Sequence, residues 1–243
     1  MVMAALIATN MARPCTAMKT AMLIPTDMNM ITEQALLTLA QWLSPAYPVG
    51  AFRYSHGLEW AIAAGHVQDA DSFRGGLGDI VRFGTGRNDA ILLACAYRAD
   101  PAALRDIDET ARAFAASKER LLETTAQGAA FCRTTTAIWG DDLPDLTYPV
   151  AVGHAARRNN IPLRQTGAMY LHAFASNLTS AAIRLVPLGQ TEGQSIVTAL
   201  APLCETLARD TEALELDDLG GSVFLADIAA MKHETQYTRL FRS

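Results

Sequence analysis

Lysine is scarce in this sequence. Only Lys19, Lys118 and Lys232 stand among 20 basic residues, and the remainder are arginine. With a net charge of -5, the chain lacks the basic face that a nucleic-acid binder uses to neutralise phosphates. An arginine-dominated set suits bidentate pairing with carboxylates better than loose point charges. Long apolar runs are also missing: no stretch approaches the roughly 18 uninterrupted apolar residues of a membrane span. The four cysteines, Cys15, Cys95, Cys132 and Cys204, share no metal-type spacing, and three of them sit in apolar runs. They are expected to be buried free thiols in a reducing cytoplasm. Strand-type alternation never lasts long enough to build a sheet.

Chemical signatures are equally thin. The histidines His56, His66, His154, His172 and His233 fall on five different predicted segments, without HExxH or a paired His-Cys spacing. His172, on a small-residue helix face, is expected to be a hydrogen-bonded core residue. A transient metal contact at His56 or His233 stays open. The glycine-rich stretches 75–78 (GGLG) and 84–87 (GTGR) neither follow a strand nor contain the GxxxxGK[ST] phosphate cradle. Ser44 or Ser55 with His56 and Glu59 supplies the residue types of a hydrolase triad. Neighbours on one helical turn cannot line up as nucleophile, base and orienter, however. Ser55 is expected to cap a helix, with Glu59 in its first turn where the dipole favours a carboxylate.

What is present is helix. Half of the 243 residues are hydrophobic and 19% are charged, enough for one sizeable core. The Met-rich first 29 residues lack periodicity and are expected to be a disordered extension, or to precede a working start nearer Met28 or Met30. From residue 30 onward the pattern predicts an all-α domain of about eight to ten helices around a central apolar helix, extending to residue 231. Segments are expected at 54–64, 71–83, 90–97 and 117–139, and Asp100-Pro101 marks a further helix start. Residues 163–186 carry the longest pattern, with one seam of large side chains and a small-residue stripe beside it, which assigns the central position. Thr191-Glu192-Gly193-Gln194 reads as a capping box for the next helix, and Pro202 as a kink inside it. Residues 232–243 form a polar-aromatic tail. It is either docked on its own domain or waiting for a partner, since Tyr, Phe and Arg carry binding energy at interfaces.

Three blocks resemble the urease accessory protein UreF family: SPAYPVGAFRYSHGLE at 44–59, NLTSAAIRLVPLGQTEGQ at 177–194, and HETQYTRLFRS at 233–243. His56 is a departure, because the family pattern usually has glutamine there. The resemblance implies an all-helical, dimer-forming cytoplasmic protein with no catalytic activity and no cofactor. It implies as partners a UreD/UreH-type accessory protein, the GTPase UreG and apo-urease, in delivery of nickel. Carried onto this sequence, the terminal block from His233 to Ser243, with His233, Glu234, Gln236, Tyr237, Arg239, Leu240, Phe241 and Arg242, would order against the UreD-type partner. Tyr54, His56 and Glu59 would then lie on a surface that meets the GTPase, with Phe52 beside them. A helical hydrolase using Ser55 or His56, and a purely structural dimer, are the alternatives.

Overall fold

The computed structural model describes residues 31–140 and 143–243, and the Met-rich extension lies outside them. Among the described residues the regular structure is entirely helical. The order is α1 (Glu33–Trp42), a 3-10 turn (Ala51–Arg53), α2 (Leu58–Ala63), α3 (Ala70–Phe83), α4 (Thr85–Arg98), α5 (Ala103–Ala113) and α6 (Lys118–Trp139). Then follow α7 (Tyr148–Arg158), α8 (Leu163–Leu185), α9 (Gln190–Thr211), a second 3-10 turn (Leu216–Asp218) and α10 (Phe224–His233).

Local chemistry sets most of the boundaries. Thr32 Oγ accepts the Ala35 N–H at 3.1 Å and starts α1. Asp69 and Ser72 form a reciprocal capping box on α3. Asp100 Oδ1 accepts the N–H groups of Ala102 and Ala103, so it serves the start of α5 as its sequence suggests. The N-cap of α9 sits two residues earlier than expected: it is Gly189, which has no side chain to complete a capping box, and only Glu192 reaches back to its N–H at 3.5 Å. That helix continues through Pro202.

Two apolar clusters make the core. In the first, Leu39 and Trp42 of α1 meet Ile91 and Leu93 of α4, Phe131 of α6, and Val150 and Val152 of α7. The Trp42 indole stands edge-on to both Phe131 and Trp139, at ring separations of 5.4 and 5.6 Å. In the second, Phe73, Leu77 and Val81 of α3 pack with Leu171, Ala175 and Leu178 of α8 and with Ile196, Leu200 and Leu207 of α9. Helix α8 contributes Tyr170 to one cluster and Leu171 to the other, as a central helix must. Helix α4 shares that role, since every residue from Asp89 to Ala96 is buried. Cys95, Cys132 and Cys204 are buried free thiols. Burial pushes Cys132 and Cys204 up to about 11, so neither is a nucleophile at neutral pH. Cys15 lies outside the described residues.

One expected core residue is misplaced. His172 is exposed, because α8 turns the face carrying His172, Ser180 and Arg184 to solvent rather than toward a neighbouring helix.

Candidate functional site

The first and third sequence blocks fold against one another, with Glu59 bonding Leu240 across 181 residues of chain. The helix expected over 54–64 is shorter, because His56 (φ 60°) and Gly57 (φ 76°) both adopt the left-handed conformation that an α-helix cannot include. Helix α2 therefore starts at Leu58 with Gly57 as its N-cap, and of the expected Ser55 cap only a long contact remains, the Ser55 hydroxyl accepting the Glu59 N–H at 3.5 Å. Gly57 is required on a second count. A Cβ there would stand 2.5 Å from the Ala230 nitrogen, so α10 rests directly on the turn.

The seat beneath the tail is made of backbone partners. The Glu59 carboxylate accepts the N–H of Leu240 at 2.7 Å through Oε1 and the N–H of Phe241 at 3.0 Å through Oε2. The Ser243 backbone oxygen accepts both the N–H of Ser55, at 2.5 Å, and its hydroxyl. The Arg242 N–H donates to the Arg53 carbonyl at 2.8 Å, while the Phe241 ring is buried beneath Arg184. Asn177, from the second block, holds the other side of the turn by donating to the Ala51 carbonyl at 3.0 Å.

Charge fills the space below. His233 is 0% exposed and turns Nδ1 to Glu119 Oε2 at 2.6 Å and Nε2 to Glu59 Oε2 at 3.4 Å. Arg239 bonds the other Glu119 oxygen at 2.6 Å, and Glu234 accepts the Lys118 N–H at 2.7 Å. Deeper in, Arg120 bridges Asp89 (3.0 Å) and Glu123 (3.1 Å), and Tyr170 donates to Asp89 at 2.8 Å. The Ser243 hydroxyl donates to Glu123 at 3.2 Å, so the tail reaches this inner group as well. Burial pushes the Glu123 carboxyl up, but Arg120, His56 and Ser243 outweigh it and bring it down to about 2. Burial raises Asp89 despite the same guanidinium. His56 Nε2 is 3.1 Å from the Thr85 hydroxyl, and its Nδ1 lies 3.8 Å from Glu123, beyond hydrogen-bond reach.

These bonds dispose of the triad geometry. The Ser55 hydroxyl is spent on Ser243 and the His56 ring is directed at Thr85, so nucleophile and base are not paired. The expected surface of Phe52, Tyr54 and His56 is also corrected. Phe52 is exposed, but Tyr54, His56 and Glu59 are buried in this chain, because the tail and α10 cover the turn. The tail itself is docked on its own domain. His233, Phe241 and Ser243 point inward, whereas Tyr237 is fully exposed and Leu240 is 76% exposed, with Arg239 and Arg242 beside it. Glu234 and Gln236 are half-buried.

Sequence reasoning missed two parts of the site. Asp89, Glu119, Arg120 and Glu123 come from α4 and α6. Their signal is Arg120, Glu123 and Gln127 at helical spacing on the face that also carries Phe131, which makes a charged patch on a buried stripe. The second part is an apolar strip on α10: Phe224, Leu225, Ile228 and Met231 are all exposed. Spacings of four and three put Phe224, Ile228 and Met231 on one face.

Comparison with known proteins gives concordant matches. The UreF family model matches residues 67–201, from the approach to α3 to midway along α9, so the turn and the tail fall outside that segment. The urease accessory protein UreF of Ruegeria pomeroyi is 54% identical over 213 residues, covering 87% of this chain and 98% of the relative. That of Roseobacter denitrificans is 52% identical over 222 residues, covering 91% and 100%. That of Rhodopseudomonas palustris is 50% identical over 222 residues, covering 86% and 94%.

Proposed function

Because this chain belongs to the UreF family of urease accessory proteins, we propose that it is a nickel-insertion co-chaperone without turnover of its own. It holds a UreD/UreH-type protein and the GTPase UreG in one assembly. The GTPase supplies the nucleotide-driven step, and nickel passes as cargo to apo-urease. The protein works in the cytoplasm as a homodimer.

The observation that carries this reading is the tail, in which buried anchors alternate with outward side chains. His233 and Phe241 hold it down, with Glu234 and Gln236 at its base, while Tyr237, Arg239, Leu240 and Arg242 face solvent. Tyrosine and arginine are enriched in binding hot spots, and Leu240 adds apolar contact area beside them. The UreD-type protein is assigned to it and to the neighbouring α10 strip. The GTPase is assigned to the region of the Tyr54–Glu59 turn. It approaches through the exposed Phe52 and Arg53, and the buried Tyr54, His56 and Glu59 shape that surface from beneath.

Removing the whole tail would also remove buried anchors, so the sharper test is the double substitution Tyr237→Ala with Leu240→Ala. In cells expressing the accessory set, the unaltered chain should capture the UreD-type protein and the GTPase. The double variant should lose the UreD-type protein while melting within a degree or two of the parent, roughly the scatter expected of surface changes. Capture of neither partner by the unaltered chain would sink the reading. A structural dimer would leave capture indifferent to both substitutions.

A further inference from the structure

We infer that His56 and Glu123 form a loosely held site for a divalent transition-metal ion, with His56 Nδ1 and Glu123 Oε2 as its two protein ligands. The site itself stands on geometry. That nickel in transit is the ion it takes rests on the delivery reading above.

The sequence leaves a metal contact open at His56 and at His233, and the structure separates the two. Both ring nitrogens of His233 are occupied, Nδ1 by Glu119 at 2.6 Å and Nε2 by Glu59 at 3.4 Å. His56 is different. Only 7% of it is exposed, and its Nδ1 has no hydrogen-bond partner. A buried polar atom in that state is costly and calls for an explanation.

The atom facing it is Glu123 Oε2, at 3.8 Å, and that span discriminates among bridges. A direct hydrogen bond would bring the two atoms to about 2.9 Å. A bridging water, at hydrogen-bond distance from both, would set them about 4.6 Å apart. A first-row divalent ion has bonds of about 2.1 Å to imidazole and carboxylate, so it spans from about 3 Å at a right angle to about 4.2 Å in line. The observed separation falls inside that last range.

The imidazole is also oriented as a ligand. Its Nε2 lies 3.1 Å from the hydroxyl of Thr85, the first residue of α4, and Phe174 stands edge-on to the ring at 5.4 Å. With Nε2 carrying the proton toward Thr85, the Nδ1 lone pair is available to a metal. Glu123 gives Oε1 to Arg120 at 3.1 Å and keeps Oε2 toward His56. The Ser243 hydroxyl donates to the same Oε2, but a carboxylate oxygen can take a second partner, and neither ligand belongs to the tail. The carboxyl groups of Asp89 and Asp227 also interact electrostatically with His56. Three carboxyl groups thus stand around one imidazole and one guanidinium, a balance that an added cation improves.

Access and strength suit cargo better than a resident ion. Glu123 lines a cavity of about 370 Å³ between the end of α1 and α8, where exposed Phe52, His172 and Arg184 mark its opening. Among the described residues no three His, Cys, Asp or Glu side chains converge to hold a metal. Two protein ligands leave the other positions to water, so the ion exchanges readily. An imidazole with a single carboxylate favours nickel or zinc over magnesium or calcium.

The test titrates the purified full chain with nickel(II) chloride alone and follows the histidine ring signals by NMR. Paramagnetic broadening should reach His56 and Thr85 at lower nickel than the exposed His66 and His172. Magnesium chloride at the same concentrations should leave the His56 signals unchanged. In calorimetry, the tightest nickel site should weaken about tenfold in Thr85→Val, which removes the orienting hydroxyl. It should disappear in His56→Asn, which tolerates the positive φ at that position. The titration of the unaltered chain needs no substitution, so a variant that fails to fold does not remove the test. Broadening that begins at His66 or His172 and leaves His56 sharp would overturn the proposal. So would a tightest site indifferent to His56→Asn. If nickel misses His56 while the chain still captures both partners, the site is wrong and the delivery reading stands. If nickel binds at His56 and capture fails, the delivery reading falls and the site remains.

Discussion

Glu123 is the residue at which the tail and the helical core share a charge. It accepts from the Ser243 hydroxyl on one side and pairs with Arg120 on the other. Its folded pKa of about 2 lies below the ordinary 4.5. The stabilisation from its ionised form is therefore complete above about pH 4.5 and is lost as pH falls toward 2. Thermal melts near pH 6 and near pH 3 should show a larger drop in Tm for the unaltered chain than for Glu123→Gln. Parallel losses would remove Glu123 from the acid response. Asp89 acts in the opposite sense, since burial raises it, so comparison with the variant is what isolates Glu123. Little of this is legible in the sequence. The local signals of Glu59, a carboxylate in a first helical turn, suffice for a dipole role. Its actual partners are amides 181 and 182 residues away, and no local pattern encodes such a pairing. His56 holds a positive φ of 60°, which no local pattern in the sequence announces. The left-handed region costs a non-glycine residue conformational energy, and the contact to Thr85 together with burial helps to hold His56 there.

At the scale of elements the sequence is more informative. Helix α8 is expected over 163–186 and runs Leu163–Leu185, because a long amphipathic pattern between two prolines leaves few alternatives. Helix α2 starts four residues later than its pattern suggests, since propensity carries no warning of two successive left-handed residues. Glycines inside or beside helices separate the two kinds of constraint. Gly75 in α3 has nothing within 4 Å of the place a side-chain methyl would occupy. Gly75→Ala should therefore stabilise the protein by about 0.5–1 kcal/mol, through higher helix propensity and a less flexible unfolded chain. Gly57 sits in a left-handed turn against the α10 backbone. Gly57→Ala should cost about 3 kcal/mol or more and loosen α10 from α2. Denaturant titration of both variants gives the contrast directly. A harmless Gly57→Ala would mean that α10 does not pack on the turn in solution.

For the whole molecule, the all-helical class follows from periodicity alone. The two apolar clusters and the shared burial of α4 and α8 are the physical form of that pattern. The charge network is out of reach, because it draws on α2, α4, α6, α10 and the tail, which are brought together only by the packing. Its arrangement also bears on the order in which the molecule is made. One half of the seat, Arg53 to Glu59, emerges early from a ribosome, and the residues that complete the Glu59 contacts are synthesised 174 to 182 residues later. Closing so long a loop has little to reward it until the intervening helices have packed. The Glu59 contacts are thus made last, and they are made only by a chain in which α4, α6 and α10 have already found their places. A partner that recognises the seated tail would thereby be selecting finished molecules and passing over those still folding.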